Sequence, residues 1–285
     1  MKNKLKQIAI LGKFSISMPI ALTCLIGHVT FSQHISWMSA IVALGIFFMS
    51  AGASALNQLQ EVKEDRQMRR TRPRPLASGK MSLKKGITII ALFLVTGSTI
   101  LYQFNLATLL WGWMGVVWYN LIYTPLKRKT AFSVFPGAIV GAIPPVVGWV
   151  AAGGSILDYR IHFIAFFFFL GQMPHFWLLV LKYKDQYKKA GFPVITDILN
   201  SSQVNRINFM WFVATFISAL FLPLFDITST STITLLITIS TIGMIAWAFK
   251  HSANKELQLR KLFIFFNSFY LWIMLLILAD QFQHF

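Results

Sequence analysis

The sequence predicts an all-α, multi-pass membrane helical bundle with nine transmembrane helices, the N-terminus inside and the C-terminus outside. Of its 285 residues, 56% are apolar and only 12% are charged, whereas about a quarter of the residues of a soluble domain are charged. Apolar runs long enough to cross about 30 Å of hydrocarbon recur along the whole chain. The predicted spans are residues 14–31, 35–57, 85–103, 105–123, 133–153, 160–182, 207–224, 229–249 and 260–280. Their connections are too short for a separate soluble domain, so residues 1–285 are predicted to form one domain.

The distribution of basic residues supports this topology. With nine spans and the N-terminus inside, all but one of the 26 Lys and Arg residues fall in inside segments, and only Arg160 falls outside. The basic inside segments are residues 2–13, 63–85, 127–129, 182–206 and 250–261. An excess of Lys and Arg in cytoplasmic loops is the positive-inside pattern of membrane proteins. It explains the net charge of +17 without nucleic acid as a partner.

Cysteine content and the N-terminus indicate the cellular setting. Cys24 is the only cysteine, which excludes a disulfide within the chain and a thiolate metal cluster. The first residues are basic and then apolar, but no small-residue cleavage site is evident and further spans follow, so we interpret them as retained. They lack the Arg- and Ser-rich character of a mitochondrial transit peptide. A bacterial cell (inner) membrane is therefore predicted.

Two inside loops are long and polar. They cover residues 58–84 and 182–206 and follow the second and sixth predicted spans. A separation of four helices suggests a duplicated unit of about four helices, each with one charged loop.

The first of these loops contains a pattern typical of a metal–diphosphate site. Asn57, Glu61 and Asp65 are spaced i, i+4 and i+8, so they share one face if the second span continues as a helix beyond the membrane surface. Mg²⁺ prefers such oxygen ligands, completed by water and substrate phosphates. Arg70 and Arg74 follow in a proline-containing stretch that we expect to fold back over the site and bind phosphate. The alternative is a solvated helix end that only determines topology.

The second loop and the span before it supply two further candidates. Asp185 lies about one turn beyond the sixth span, among lysines, and is either a metal ligand or a member of a surface ion pair. His175 follows Pro174 within the span, and an ionisable group at membrane depth is a functional hypothesis. It is a candidate ligand of haem iron, because neutral imidazole is a common axial ligand. The alternative is a buried histidine that bonds the carbonyl freed by Pro174.

The fourth and fifth spans contribute basic and small residues. Tyr123, Lys127 and Arg128 close the fourth span at the inside face, where the two cations would either bind phosphate or anchor the helix end. The fifth span contains Gly137, Gly141, Pro144, Pro145 and Gly148. Small residues either let helices pack closely or leave room for a flat ligand.

Together these residues resemble the UbiA superfamily of intramembrane prenyltransferases, and within it the branch that farnesylates haem b. Asn57, Glu61 and Asp65 stand where the superfamily has its first Asn/Asp-rich motif. The similarity covers about residues 50 to 195. The other residues that match motifs of the branch are Met68, Arg70, Thr71, Arg74, Pro75 and Leu76; Tyr123, Thr124, Leu126, Lys127, Arg128 and Thr130; residues 141–149; Pro174, His175 and Phe176; and Asp185, Tyr187, Ala190, Gly191 and Pro193.

The resemblance implies an enzyme that moves a farnesyl group from farnesyl diphosphate to the 2-vinyl group of haem b, giving haem O and diphosphate. It implies Mg²⁺ as cofactor, with haem b as substrate rather than cofactor. Asn57, Glu61, Asp65 and Asp185 would be catalytic metal ligands. Arg70, Arg74, Lys127 and Arg128 would bind the diphosphate, and His175 would bind haem. Besides the two substrates and membrane lipid, the implied partners are haem A synthase or the assembly of a terminal oxidase.

Some positions depart from the family pattern. Many bacterial members carry Asp where this chain has Glu61 and Lys63; Glu still ligates Mg²⁺, whereas Lys63 leaves the number of metals open. The first span lacks the usual Lys-Pro-Arg entry, and the last three spans carry no assignable motif. Two alternative functions remain: a related prenyltransferase acting on a quinone precursor or a chlorophyll-like ring, and a membrane transporter, whose polar groups would lie nearer the midplane.

Overall fold

The computed structural model describes residues 2–252 and 259–281, and all regular structure within them is helical. Thirteen α-helices occur in the described residues. Their bounds are α1 Lys2–Leu11, α2 Phe14–Ser32, α3 Trp37–Gln60, α4 Val62–Gln67, α5 Leu83–Tyr102, α6 Leu106–Val117, α7 Thr124–Lys127, α8 Val134–Ala151, α9 Tyr159–Lys182, α10 Lys184–Lys189, α11 Ser201–Leu220, α12 Ser231–Ser252 and α13 Leu259–Asp280. A π-helical turn, Trp118–Tyr123, joins α6 to α7.

Seven helical segments of the described residues are long and apolar enough to cross a membrane. They correspond to α2, α3, α5, α8 with the turn before it, α9, α12 and α13. The two other predicted spans, 105–123 and 207–224, fall on α6 with its π turn and on α11. The π turn divides the first of these helices after 12 residues, and the second begins with the polar run SSQVNR. The all-helical membrane class is confirmed. The count of nine spans and the orientation of both termini stay predictions, and residues 282–285 lie outside the described residues.

Helices α2 and α8 approach each other closely through glycine. A Cβ at Gly148 would overlap the backbone carbonyl of Cys24, and one at Gly27 would overlap the carbonyl of Pro145. Both glycines therefore serve close helix packing, and for Gly148 this is one of the two uses predicted for small residues of the fifth span. Helix α3 packs on α2, and α9 packs on α8.

The two long polar loops contact each other at one end of the bundle. Met68 from the first loop shares an apolar cluster with Tyr187, Phe192 and Val194 from the second. The backbone N–H of Arg70 donates to the Gln186 side chain at 3.0 Å. Residues far apart in sequence thus form one surface beside the ends of α3, α7 and α9.

Candidate active site

The stripe of Asn57, Glu61 and Asp65 remains helical although α3 ends at Gln60. The N–H of Glu61 donates to the carbonyl of Asn57 at 3.0 Å, and that of Asp65 to the carbonyl of Glu61 at 2.8 Å. These i to i+4 bonds keep the three side chains on one face across the break between α3 and α4. All three are buried, with Glu61 only 2% and Asp65 only 1% exposed.

Each buried carboxylate has a cation as its partner. Lys127 Nζ lies 2.7 Å from Glu61 Oε1 and 2.9 Å from Oε2. Arg74 places one guanidinium nitrogen 2.8 Å from both oxygens of Asp65. A charged group can be held away from water only when it is paired in this way. Burial on its own raises the pKa of Glu61, but Lys127 beside it outweighs that effect and the pKa lies below its usual range.

Arg74 reaches Asp65 because the chain folds back after α4. Thr71 Oγ1 donates to the Asp65 carbonyl at 3.0 Å, and the N–H of Arg74 donates to the Thr71 carbonyl at 2.9 Å. These turns return the chain toward the stripe, as we expect from the prolines of this stretch. The chain reversal between residues 65 and 74 therefore brings Arg74 to Asp65.

Lys13 is part of the site, although in the sequence it was recognised only as one of the basic residues that indicate membrane topology. It lies between α1 and α2, and its Nζ donates to Asn57 Oδ1 at 3.1 Å and to the Tyr119 hydroxyl at 3.4 Å. Removal from water, together with the positive charge of Arg74, lowers the pKa of Lys13 to about 7. The only available signal was a lysine placed directly before an apolar run.

The π-helical turn and the first residue of α7 hold the end of α3 in place. Asn57 Nδ2 donates to Thr124 Oγ1 at 3.2 Å, and that hydroxyl donates in turn to the Tyr119 carbonyl at 2.9 Å. Asn120, buried in the same turn, donates to the Ala53 carbonyl at 3.0 Å. Single π turns often occur at functional sites. This one directly precedes α7, from which Lys127 faces Glu61.

The second polar loop closes the site with aromatic rings. Lys127 Nζ lies 4.7 Å from the ring centre of Phe192 and 6.0 Å from that of Tyr187. Asp185, by contrast, is exposed and forms no ion pair or side-chain hydrogen bond within the described residues. The structure thus brings the loop to the stripe but does not bring Asp185 to the two buried carboxylates.

Two of the predicted phosphate-binding arginines lie at the rim. Arg70 is exposed and its guanidinium stacks over the Tyr183 ring at 4.8 Å. Arg128 donates to the Gln60 carbonyl at 2.7 Å and forms an ion pair with Glu64 at 3.0 Å. Lys127 and Arg74 face the stripe, whereas Arg70 and Arg128 surround it.

His175 lies in α9 and is bonded across the bundle. Its Nδ1 is 2.9 Å from Asn267 Oδ1 on α13, so the partner is a side chain and not a carbonyl freed by Pro174. Sequence reasoning missed Asn267, although an amide within an apolar span is itself a signal. The His175 ring also packs against Phe263 and Phe176, with centroids 5.0 and 5.9 Å away.

An aromatic wall connects the carboxylates to His175. Tyr119 stacks on Tyr123 at 5.5 Å, Tyr123 contacts Phe176 at 5.8 Å, and Phe176 adjoins His175. The wall runs from the Lys13 contact, just before α2, to His175 within α9. Its near end contacts a charged side chain, and its far end is an imidazole, so the wall joins a charged cluster to an apolar region of the bundle.

The donor set fits Mg²⁺ held together with a diphosphate. Glu61, Asp65 and Asn57 offer carboxylate and amide oxygens, which are hard ligands. In the described part of the chain, no three His, Cys, Asp or Glu side chains come together to hold a metal by themselves. Mg²⁺ commonly takes only one or two carboxylates and fills its remaining positions with substrate phosphates and water.

Comparison with known proteins gives sequence relatives over most of the chain. The UbiA prenyltransferase family profile matches residues 20–272. A protein of Geobacter sulfurreducens named protoheme IX farnesyltransferase is 39% identical over 187 residues, covering 66% of this chain and 69% of that protein. Proteins with the same name from Nitratidesulfovibrio vulgaris and Christiangramia forsetii are each 31% identical. The first covers 84% of both chains, and the second 95% of this chain and 91% of its own.

Solved structures share the fold at low sequence identity. A structure described as digeranylgeranylglyceryl phosphate synthase has a TM-score of 0.77 and 18% identity, covering 99% of both chains. A UbiA homologue from Archaeoglobus fulgidus, bound to GPP and Mg²⁺, has a TM-score of 0.72 and 15% identity, covering 97% of this chain and 98% of that one.

Proposed function

The chain belongs to the UbiA prenyltransferase family, and on that premise we propose that it transfers a farnesyl group from farnesyl diphosphate to the 2-vinyl group of haem b, releasing diphosphate and giving haem O. Relatives at 31–39% identity carry the name protoheme IX farnesyltransferase. The observation that carries the proposal is the aromatic wall that joins a buried carboxylate–cation cluster to His175. A prenyl diphosphate would bind at its charged end and a flat iron macrocycle at its imidazole end.

At the charged end, Lys13, Arg74 and Lys127 would bind the diphosphate. In the structure, these three cations contact the side chains of Asn57, Glu61 and Asp65. The oxygens of those side chains are suited to binding Mg²⁺. Mg²⁺ held there would neutralise charge on the leaving diphosphate. The three cations would then donate to the diphosphate oxygens. Arg70 and Arg128 lie at the rim, where they would contact the same anion as it enters.

The reaction breaks the C1–O bond of farnesyl diphosphate, the π bond of the haem vinyl group and one O–H bond of water, and it forms one C–C and one C–O bond. The C1–O bond of farnesyl diphosphate breaks, and its electron pair leaves with the diphosphate. The vinyl electron pair of haem b forms a bond to C1. Water then adds to the resulting cation and gives up a proton to the released diphosphate or to solvent, which leaves the hydroxyethylfarnesyl side chain. The π faces of Tyr123 and Phe176 would stabilise positive charge along this path, because aromatic rings attract cations electrostatically.

At the far end of the aromatic wall, His175 would bind the haem iron. Asp185 would supply a further carboxylate to the metal from the loop at the opening of the site. It is exposed there, and its loop already contacts the site through Tyr187. We place the enzyme in the bacterial inner membrane, with haem O passing to haem A synthase or to the assembly of a terminal oxidase.

The proposal is tested with purified protein in lipid nanodiscs, supplied with farnesyl diphosphate, haem b and MgCl₂. We expect haem O by mass spectrometry and an equal amount of released diphosphate. A quinone precursor and a chlorophyll-type ring replace haem b in parallel reactions. Prenylation of either one but not of haem b would contradict the assignment of haem b as the acceptor. If no acceptor led to release of diphosphate, the assignment as a prenyltransferase would be wrong.

A further inference from the structure

One hydrogen bond decides which nitrogen of His175 carries a proton. His175 Nδ1 and Asn267 Oδ1 are 2.9 Å apart, and they join α9 to α13 across 92 residues of sequence. Asn267 Nδ2 lies 2.6 Å from the backbone carbonyl of Phe263. No hydrogen bond to His175 Nε2 occurs within the described residues.

The Phe263 carbonyl determines the orientation of the Asn267 amide. A carbonyl oxygen only accepts hydrogen bonds, so the amide group that faces it must be the NH₂. The amide oxygen is then the atom that faces His175. Because that oxygen also only accepts, Nδ1 must carry a proton, and in the neutral imidazole, the form that binds metals, Nε2 then keeps its lone pair.

We propose that Asn267 is a positioning residue that holds His175 in the tautomer whose Nε2 binds the iron of the haem substrate. The inference rests on the proposed function, because it takes haem as the ligand. Histidines that bind metals usually donate their other N–H to a fixed acceptor, which sets both the tautomer and the ring orientation. Here the Phe263 ring also packs on the imidazole at 5.0 Å, so Phe263 restrains both members of the pair.

An amide at position 267 suits a haem substrate that must be released after reaction. A carboxylate at this position would make the imidazole more basic and its bond to iron stronger. A neutral amide fixes the ring without adding that basicity. The pair thus orients the haem for reaction while permitting release of the product.

The chain offers a matched control on the same two helices. Tyr270, one turn beyond Asn267, donates its hydroxyl to the Phe168 carbonyl at 3.1 Å. Tyr270→Phe therefore removes another hydrogen bond between α13 and α9 without touching His175. An effect of Asn267→Leu that comes only from loosening the two helices should appear in Tyr270→Phe as well.

The test is a haem b titration of the purified protein in nanodiscs, followed by its Soret band, together with thermal unfolding. We expect Asn267→Leu to weaken haem binding about 10–100-fold and to shift the Soret band, while Tyr270→Phe binds haem normally. Asn267→Asp retains an acceptor for Nδ1–H, so it should still bind haem, with a more negative reduction potential. In His175→Ala, adding Asn267→Leu should cause no further loss, because Asn267 acts through His175.

Each other outcome overturns the proposal. Equal haem binding and an unchanged Soret band in Asn267→Leu would show that the amide does not position an iron ligand. Parallel losses of affinity and stability in Asn267→Leu and Tyr270→Phe would make the contact only structural. If Asn267→Leu does not fold, the Asn267→Asp variant decides. A reduction potential of its bound haem equal to that of the wild type would then overturn the proposal. Wild-type protein that makes haem O while Asn267→Leu binds haem normally would leave the proposed function intact and remove this inference alone.

Discussion

Among single residues, neighbouring carboxylates on α4 have very different surroundings. Asp65 is 1% exposed and paired with Arg74, whereas the Glu64 side chain is 19% exposed and paired with the half-exposed Arg128. An ion pair near the surface contributes at most about 1 kcal/mol, but a buried charge that loses its partner is strongly destabilising. The same change of charge should therefore have different effects at these two positions.

We expect Asp65→Asn to reduce haem O formation on the order of 100-fold or more, since it removes a charged ligand from the site. It should also destabilise the protein by about 2 kcal/mol, because Arg74 loses a charged hydrogen-bond acceptor. Glu64→Gln is the control and should change neither property by more than a small factor. Turnover and thermal unfolding of both variants in detergent provide the measurement. Wild-type turnover in Asp65→Asn would exclude Asp65 from the site.

Lys127 and Lys129 allow a second comparison. Lys127 contacts Glu61 and two aromatic rings, whereas Lys129 is exposed. We expect Lys127→Gln to weaken farnesyl diphosphate binding at least 10-fold, because one of the cations that face the diphosphate is lost. Lys129→Gln should bind as the wild type does. Isothermal titration with a non-hydrolysable farnesyl diphosphate analogue measures both, and similar losses in the two variants would indicate a general effect of surface charge.

At the scale of helices, the packing of α2 against α8 depends on backbone contact. Gly148 faces the Cys24 carbonyl so closely that a methyl group would overlap it, while Gly243 in α12 has open space around its Cβ position. The π turn before α7 is a second local feature, since it directs Tyr119 and Lys127 toward the same cluster.

Gly148→Ala should destabilise the protein by about 1–3 kcal/mol, the usual effect of overpacking a tight contact. Gly243→Ala should be neutral or stabilising by up to about 1 kcal/mol, because alanine favours helix and meets no neighbour there. Thermal unfolding of both variants under identical detergent conditions tests the difference. A Gly148→Ala protein as stable as Gly243→Ala would mean that the two helices are further apart than described.

For the whole molecule, the candidate metal–diphosphate residues lie together at one end of the helices. Lys13, Asn57, Lys127 and Tyr187 come from four separate segments and meet there. This arrangement differs from the midplane site expected of a transporter. It also agrees with the predicted clustering of basic residues on the inside face.

The topology predicts opposite labelling of two introduced cysteines. Cys24 is buried, so the wild type should give little background. Ser78→Cys in the first polar loop should react from the inside, and Leu157→Cys, between α8 and α9, from the outside. A membrane-impermeant maleimide added to intact cells should therefore label only Leu157→Cys. Labelling of both positions from one side would contradict the number of spans between them. A reporter after Phe285, which lies beyond the described residues, is predicted to report the outside.

The sequence by itself determined the membrane class, the positions of the long helices and the Asn57–Glu61–Asp65 stripe. These depend on local properties, namely apolar run length and helical periodicity, which a single segment contains. It also pointed to His175 and the basic loops.

Only the tertiary structure decided which partners those residues have. Lys13 meets Asn57, Lys127 meets Glu61 and Asn267 meets His175 across 44, 66 and 92 residues. It also left Asp185 exposed, which its spacing from the sixth span did not reveal. Such pairings depend on how helices pack and on where a π turn or a chain reversal rotates a side chain. Helical periodicity places residues on a face, but only packing brings two faces together.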